Sequence, residues 1–239
     1  MASSLEGRSV VVIGGSSGIG LATAQRALAE GAEVSIAGRD QERLDGALAE
    51  LGGGARGFAL DVADEAAVAD LFAAHDHVDH VAVLAGTHVH GNLADVASDV
   101  LAGPVDNRFW GPVHVFKHAP AKMTGGSITL CTGVGVERPR AGAAIVAAAC
   151  GGIEVLARAM VMELKPIRVN VIRPGVIDTP LLDRMSGGNR EAVLEGYAKR
   201  VPVGRAGQPE EIADAIAFLM TNEYMDGATL TIDGGVGLA

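Results

Sequence analysis

The chain reads as a single α/β domain, residues 1–239, built on a doubly wound parallel sheet of about seven strands with helices on both faces. Three observations predict it. Short apolar runs alternate with amphipathic stretches from end to end, the pattern of successive strand–helix–strand units. The first run, Val10-Val11-Val12-Ile13, leads straight into a glycine-rich turn and then a helical stretch. A length of 239 residues with 49% hydrophobic content is enough to bury one large core.

In chain order, the β-branched run at residues 9–13 predicts the first strand, and the helix that follows spans 18–30. A second strand at 33–37 leads to a helix at 41–51, for which Asp40 is the expected N-cap. Strands at 55–60 and 80–85 flank a helix at 65–74. Residues 94–123 form the next helical stretch, which Pro104 and Pro112 should break or start late. A strand at 127–131, a helix at 142–164, a strand at 168–172, a helix at 210–220 and a last strand at 229–232 complete the series. No internal repeat, low-complexity tract or linker divides it.

Composition excludes several classes of function. The 33 glycines show no collagen-like period, and with only 3% aromatics they point to tight turns and close backbone packing. A net charge of −10 argues against a nucleic-acid backbone or an anionic membrane surface as partner. The apolar runs read as shorter than the roughly 20 residues of a membrane span, and the polar stretch from Met1 to Arg8 is no signal peptide. Two cysteines, Cys131 and Cys150, make no disulfide framework, so a cytoplasmic location is expected.

The glycine turn carries the first functional signal. In Gly14-Gly15-Ser16-Ser17-Gly18-Ile19-Gly20, Gly14 permits the tight turn, Gly18 the close approach of a pyrophosphate and Gly20 the packing of helix on strand. A strand, a glycine turn and a helix in that order grip a dinucleotide at the helix N-terminus, the Rossmann-type arrangement. Where an NAD-selective fold places an acid after the second strand, this chain reads Ala37-Gly38-Arg39-Asp40. Gly38 removes the carboxylate that would repel a 2′-phosphate, and Arg39 can pair with it, which favours NADP(H) over NAD(H).

Taken together, these motifs resemble the short-chain dehydrogenase/reductase family over nearly the whole length. Leu60-Asp61-Val62 resembles the segment that meets the adenine, with Asp61 accepting from its amine. Ala85-Gly86 resembles the end of the family's Asn-Asn-Ala-Gly, with Val83 and Leu84 in place of the asparagines. Pro174-Gly175-Val176-Ile177-Asp178-Thr179-Pro180 resembles the loop that holds the nicotinamide carboxamide through Ile177 and Thr179. Gly204-Arg205, Pro209-Glu210-Glu211 and Ile232-Asp233-Gly234-Gly235 resemble the closing segments. The resemblance also implies a homotetramer or homodimer, assembled through the 142–164 helix and the last strand.

The same resemblance exposes a gap. The family's catalytic tyrosine position falls on Val146 and its lysine position on Cys150. The serine position falls on Gly133, beside Thr132, and the asparagine position on Arg108, beside Asn107. Valine has no proton to donate at any pH. Candidate substitutes are Thr132, His88 and His90, or water or the substrate itself; Arg108 is a candidate for neutralising a developing oxyanion. The expectation is an atypical NADP(H)-binding oxidoreductase acting on a small carbonyl or alcohol. The alternatives are a non-redox cyclase, dehydratase or isomerase on the same fold, or a non-catalytic cofactor-binding subunit. His75-x-His77 and His80 read as a surface connector and not a metal site, and Trp110 as core or subunit contact.

Overall fold

The computed structural model describes residues 4–186 and 188–239, with no side-chain description for 184–186. The first three residues of the polar N-terminal stretch lie outside the described residues. Seven strands form one parallel sheet in the order β3-β2-β1-β4-β5-β6-β7. They are β1 (Ser9–Ile13), β2 (Glu33–Gly38), β3 (Ala55–Ala59), β4 (His80–Val83), β5 (Ser127–Cys131), β6 (Arg168–Pro174) and β7 (Thr229–Ile232). The winding reverses between β1 and β4, so a crevice opens beyond their carboxyl ends, where ligands of such sheets bind.

Strand alternation divides the core between the two faces. Val10 and Val12 point into a cluster with Val34, Ile36 and Ile216; Val11 and Ile13 point into another with Val81, Ile128 and Ile153. The helices α1 (Gly18–Ala29), α2 (Gln41–Glu50) and α9 (Pro209–Thr221) cover the first face. The second is covered by α3 (Glu65–Ala73), α5 (Gly111–His118) and α6 (Ala144–Glu163). As expected, Asp40 caps α2, accepting from the Arg43 N–H at 3.1 Å. Asp64 caps α3 in the same way, and a reciprocal Gln208–Glu211 box starts α9.

The 94–123 stretch begins late and changes pitch. Helix α4 spans Ser98–Val105 with Pro104 inside it, and a π-helical turn follows at Asp106–Trp110 before α5 begins. Pro104 removes a backbone donor from the ladder, and the wider π turn absorbs the mismatch. Pro112 sits in the first turn of α5, where no donor is needed. Two helices were not legible in the sequence, α7 (Pro180–Ser186) and α8 (Arg190–Ala198). Both are short and carry little apolar periodicity.

Two expectations need correction. The histidines near residue 75 do not form a surface connector: His75 and His80 are buried. His75 bonds Ser35 Oγ and the Leu71 carbonyl, each at 2.8 Å, and His80 bonds Ser127 Oγ at 2.9 Å. Burial pulls the His80 imidazole down to about 4, with Asp79 opposing. Only His77 is exposed, 2.9 Å from the Asp79 carboxylate. The apolar runs are also longer than expected. Helix α6 is long and apolar enough to cross a membrane by length and composition alone. Here it packs on the sheet through Ile153 and Ala157 and buries Glu154.

Candidate functional site

At the crevice the glycine turn is shaped by backbone contact. Gly14 has φ +91°, and a Cβ on it would lie 2.6 Å from the Ala85 nitrogen. A Cβ on Gly20 would collide with the Gly14 carbonyl oxygen. Ser17 begins α1 without a side-chain cap hydrogen bond, so it supplies no acceptor for the first-turn N–H groups. A cleft of about 550 Å³ runs from this turn along β2. The sequence-predicted cofactor residues line it, from Gly14 to Gly20, Arg39, Asp61, Val62, Ala85, Gly86 and Thr179. Pro174, Gly175 and Ile177 lie in the adjoining cavity instead.

Arg39 and Arg43 both reach this cleft. Arg39 Nη1 lies 3.4 Å from Asp61 Oδ2, with both side chains largely exposed, so the pair is loose and open to exchange. Asp61 Oδ1 already accepts from the Ala63 N–H at 3.0 Å and from Asn107 Nδ2 at 3.1 Å. A Cβ on Gly38 would approach Ser16 Oγ to 2.9 Å, so the missing acid also makes room for that hydroxyl.

The second cavity, about 700 Å³, meets the first at Ile19, Leu84, Gly86, Thr179 and Leu181. Val146 and Cys150 of α6 line it, as do Gly133 and Arg108; among the described residues its lining includes no tyrosine and no lysine. Asn107 and Arg108 part company here. Asn107 turns to Asp61 in the cofactor cleft, while Arg108 enters the apolar cavity. Arg108 donates from Nε to the Thr87 carbonyl at 2.7 Å and lies so close to Gly86 that a Cβ there would be 2.6 Å from its Cζ. Among the described residues it has no carboxylate partner.

The candidate substitutes separate clearly. Thr132 lines the cavity, but its hydroxyl donates to Glu154 Oε1 at 2.8 Å, which leaves an acceptor and no free proton. His88 faces the cavity and is half-buried; burial, then Arg108 and His90, hold its imidazole below the ordinary range and so neutral. His90 does not line the cavity and packs over Gly142. Burial pushes the Cys131 thiol up to about 12, and raises Cys150 despite the pull of Arg108. Neither thiol supplies a thiolate at neutral pH.

Sequence reasoning missed what holds this end together. Glu154 is buried in α6 and takes a two-pronged grip from Arg173 of β6, at 3.0 Å and 2.6 Å. Arg173 also pairs with Glu137 and approaches Thr231 Oγ1 at 3.3 Å. The available signal was an acid in the middle of a largely apolar helical stretch. Near it, the Tyr197 hydroxyl donates to the Asp233 carbonyl and accepts from the Val176 N–H, each at 3.3 Å, behind the cavity wall.

Comparison with known proteins agrees with this architecture. Residues 13–237 match the family model described as enoyl-(acyl carrier protein) reductase. The short-chain dehydrogenase/reductase ucsE of an Acremonium species is 35% identical, covering 98% of this chain and 97% of that protein. Human 3-oxoacyl-[acyl-carrier-protein] reductase is 31% identical, with 95% and 97% covered. Among solved structures, the MalC reductase/Diels-Alderase of Malbranchea aurantiaca superposes with a TM-score of 0.92 at 31% identity, over 98% of each chain. L-Sorbose reductase of Gluconobacter frateurii, solved with NADPH and L-sorbose, also gives a TM-score of 0.92, at 25% identity over the full length of both chains. The chain belongs to the short-chain dehydrogenase/reductase family, whose oxidoreductase fold it carries.

Proposed function

We propose that this chain binds NADP(H) along the cleft and reduces a carbonyl group in the apolar cavity, with Arg108 in place of the usual acid machinery. The turn at Gly14, Gly18 and Gly20 fits a pyrophosphate at the start of α1: side chains on Gly14 and Gly20 would collide with backbone, and one on Gly18 would press on Thr179, so only glycines keep the turn this tight. Arg39 and Arg43 fit a 2′-phosphate, with Ser16 beside them. Bound there, the cofactor supplies or accepts a hydride.

One observation carries the reading: among the described residues, a half-buried guanidinium without a carboxylate partner lines the apolar cavity beside Gly86, where the two cavities meet. Arg108 is fixed by the Thr87 carbonyl and so is ready for charge developing on a substrate oxygen. Thr132, its proton committed to Glu154, offers an acceptor to a hydroxyl or N–H of the substrate. Neutral His88 can donate an N–H to the same oxygen. The proton that completes the alcohol then comes from water or from the substrate. NADPH oxidation against a panel of carbonyl compounds tests this. Arg108→Gln should lower the rate by roughly 10²- to 10³-fold while leaving NADPH affinity unchanged. An unchanged rate would remove Arg108 from the chemistry.

A second reading is favoured by the shortage of acids in the cavity. With Val146 and Cys150 at the usual tyrosine and lysine positions, a non-redox cyclisation or isomerisation is governed by shape and Arg108 alone. The relative MalC is described as both reductase and Diels-Alderase. Product formation without NADPH consumption would select this reading. In either case we propose a cytoplasmic homotetramer or homodimer. Exposed Val155 and Met162 on α6 and half-exposed Trp110 support it. Light scattering showing a monomer at micromolar concentration would overturn it.

A further inference from the structure

The mouth of the apolar cavity is lined by Arg138 and Arg140, from the segment after β5, and by Arg200, which follows α8. In a chain of net charge −10, most other arginines are committed. Arg8, Arg26, Arg39, Arg43, Arg173, Arg190 and Arg205 pair with carboxylates, and Arg168 is consumed by backbone carbonyls. Among the described residues, none of the three arginines at the mouth joins an ion pair; Arg138 alone is partly engaged, donating to the Val236 carbonyl at 3.3 Å.

Arg140 and Arg200 converge on one region, although they are 60 positions apart. Burial pushes the Tyr197 phenol up; the Val176 N–H, Arg140 and Arg200 all pull it back, while Asp233 adds to the rise. Two of the nearby acids are occupied, while Glu191 and Glu195 of α8 do not line the cavity and Ala239 does. Glu137 pairs with Arg173, and the Asp233 carboxylate accepts from the N–H groups of Gly235 at 2.8 Å and Gly237 at 2.7 Å. Inside the mouth, Val134, Val136, Ala143, Val146, Ala147 and Leu182 give an apolar wall.

We propose that the cavity takes a molecule with an apolar body and an anionic end, the anion held at the mouth by Arg140 and Arg200. This names the substrate class of the site proposed above and rests on that cavity being the substrate site. A carboxylate and a phosphate present the same chemistry to two guanidinium forks, and the apolar wall excludes a small sugar-like molecule from tight binding. A volume of about 700 Å³ holds a body of drug-like size.

The test is calorimetric titration of the full chain with octanoate, octyl phosphate and 1-octanol, with and without NADPH. At low salt, octanoate or octyl phosphate should bind at least about tenfold tighter than 1-octanol, the gain of one charge-assisted contact. Whichever of the two binds tighter identifies the anion. The preference should vanish in Arg140→Gln/Arg200→Gln and shrink at high salt, with 1-octanol binding unchanged. Arg158→Gln, at an exposed position of α6, should keep it. Equal binding of anion and alcohol, or a preference that survives the double substitution, overturns the proposal. The readout needs no turnover, so loss of NADPH binding with the preference intact would sink the redox reading and leave this one standing.

Discussion

The glycine-turn end of the cleft is walled by backbone, and the far cavity by side chains. At the first, Gly14 presses against Ala85 of the neighbouring strand end, Gly20 against the Gly14 carbonyl and Gly18 against Thr179. At the second, Val146, Cys150 and Thr132 form the surface, while buried Glu154 and Arg173, joined by half-exposed Glu137, stand behind it. A wall of backbone tolerates no added atom, so its chemistry is tied to the fold. A wall of side chains can change residue by residue while helix and strand stay in place. This explains how one chain keeps the family's glycine turn and holds Arg108, Val146 and Cys150 where its catalytic groups are expected.

The comparison is tested first where the largest effect is expected. Glu154→Ala would leave Arg173 with only the half-exposed Glu137, and should cost about 3–5 kcal/mol in denaturant unfolding. A cost under about 1 kcal/mol would mean the network is replaceable by water, as for an exposed pair. Next, Gly20→Ala drives a methyl into the Gly14 carbonyl; overpacking of this kind should cost about 3 kcal/mol and abolish NADPH binding by fluorescence titration. Retained affinity would show that the turn can yield.

A smaller effect is expected from Arg39→Ala. It should weaken NADPH relative to NADH by about 2 kcal/mol, the value of a charged hydrogen bond discounted for exposure. Equal losses for both cofactors would assign Arg39 to Asp61 alone. The smallest effect belongs to the side-chain wall itself. Val146→Tyr and Cys150→Lys should each change NADPH oxidation by less than about tenfold, because catalytic groups act as a unit and Gly133 and Arg108 still occupy the other positions. A large gain from either single change would show that the rest of the cavity is already arranged for ordinary reduction.

Much of this was legible before any coordinates. Glycine spacing after a β-branched run predicts a tight turn into a helix because φ and Cβ clearance are local properties, and Gly14 at φ +91° bears that out. Short apolar runs placed all seven strands to within a few residues, since a central strand covered on both faces is mostly apolar, as β1 is. Asp40 as a cap was readable for the same reason: the donor it satisfies is three residues away.

What the sequence could not show is which distant groups meet. The π turn at Asp106–Trp110 splits Asn107 from Arg108, and its pitch depends on how the helix seats on the sheet. His75 and His80 looked like connector residues because their partners, Ser35 and Ser127, lie on other elements. Glu154 and Arg173 are 19 positions apart, and Arg140 and Arg200, from distant segments, line one cavity. Backbone conformation and hydrophobic period are written in neighbouring residues; ion pairs and cavity walls are decided by packing across the sheet.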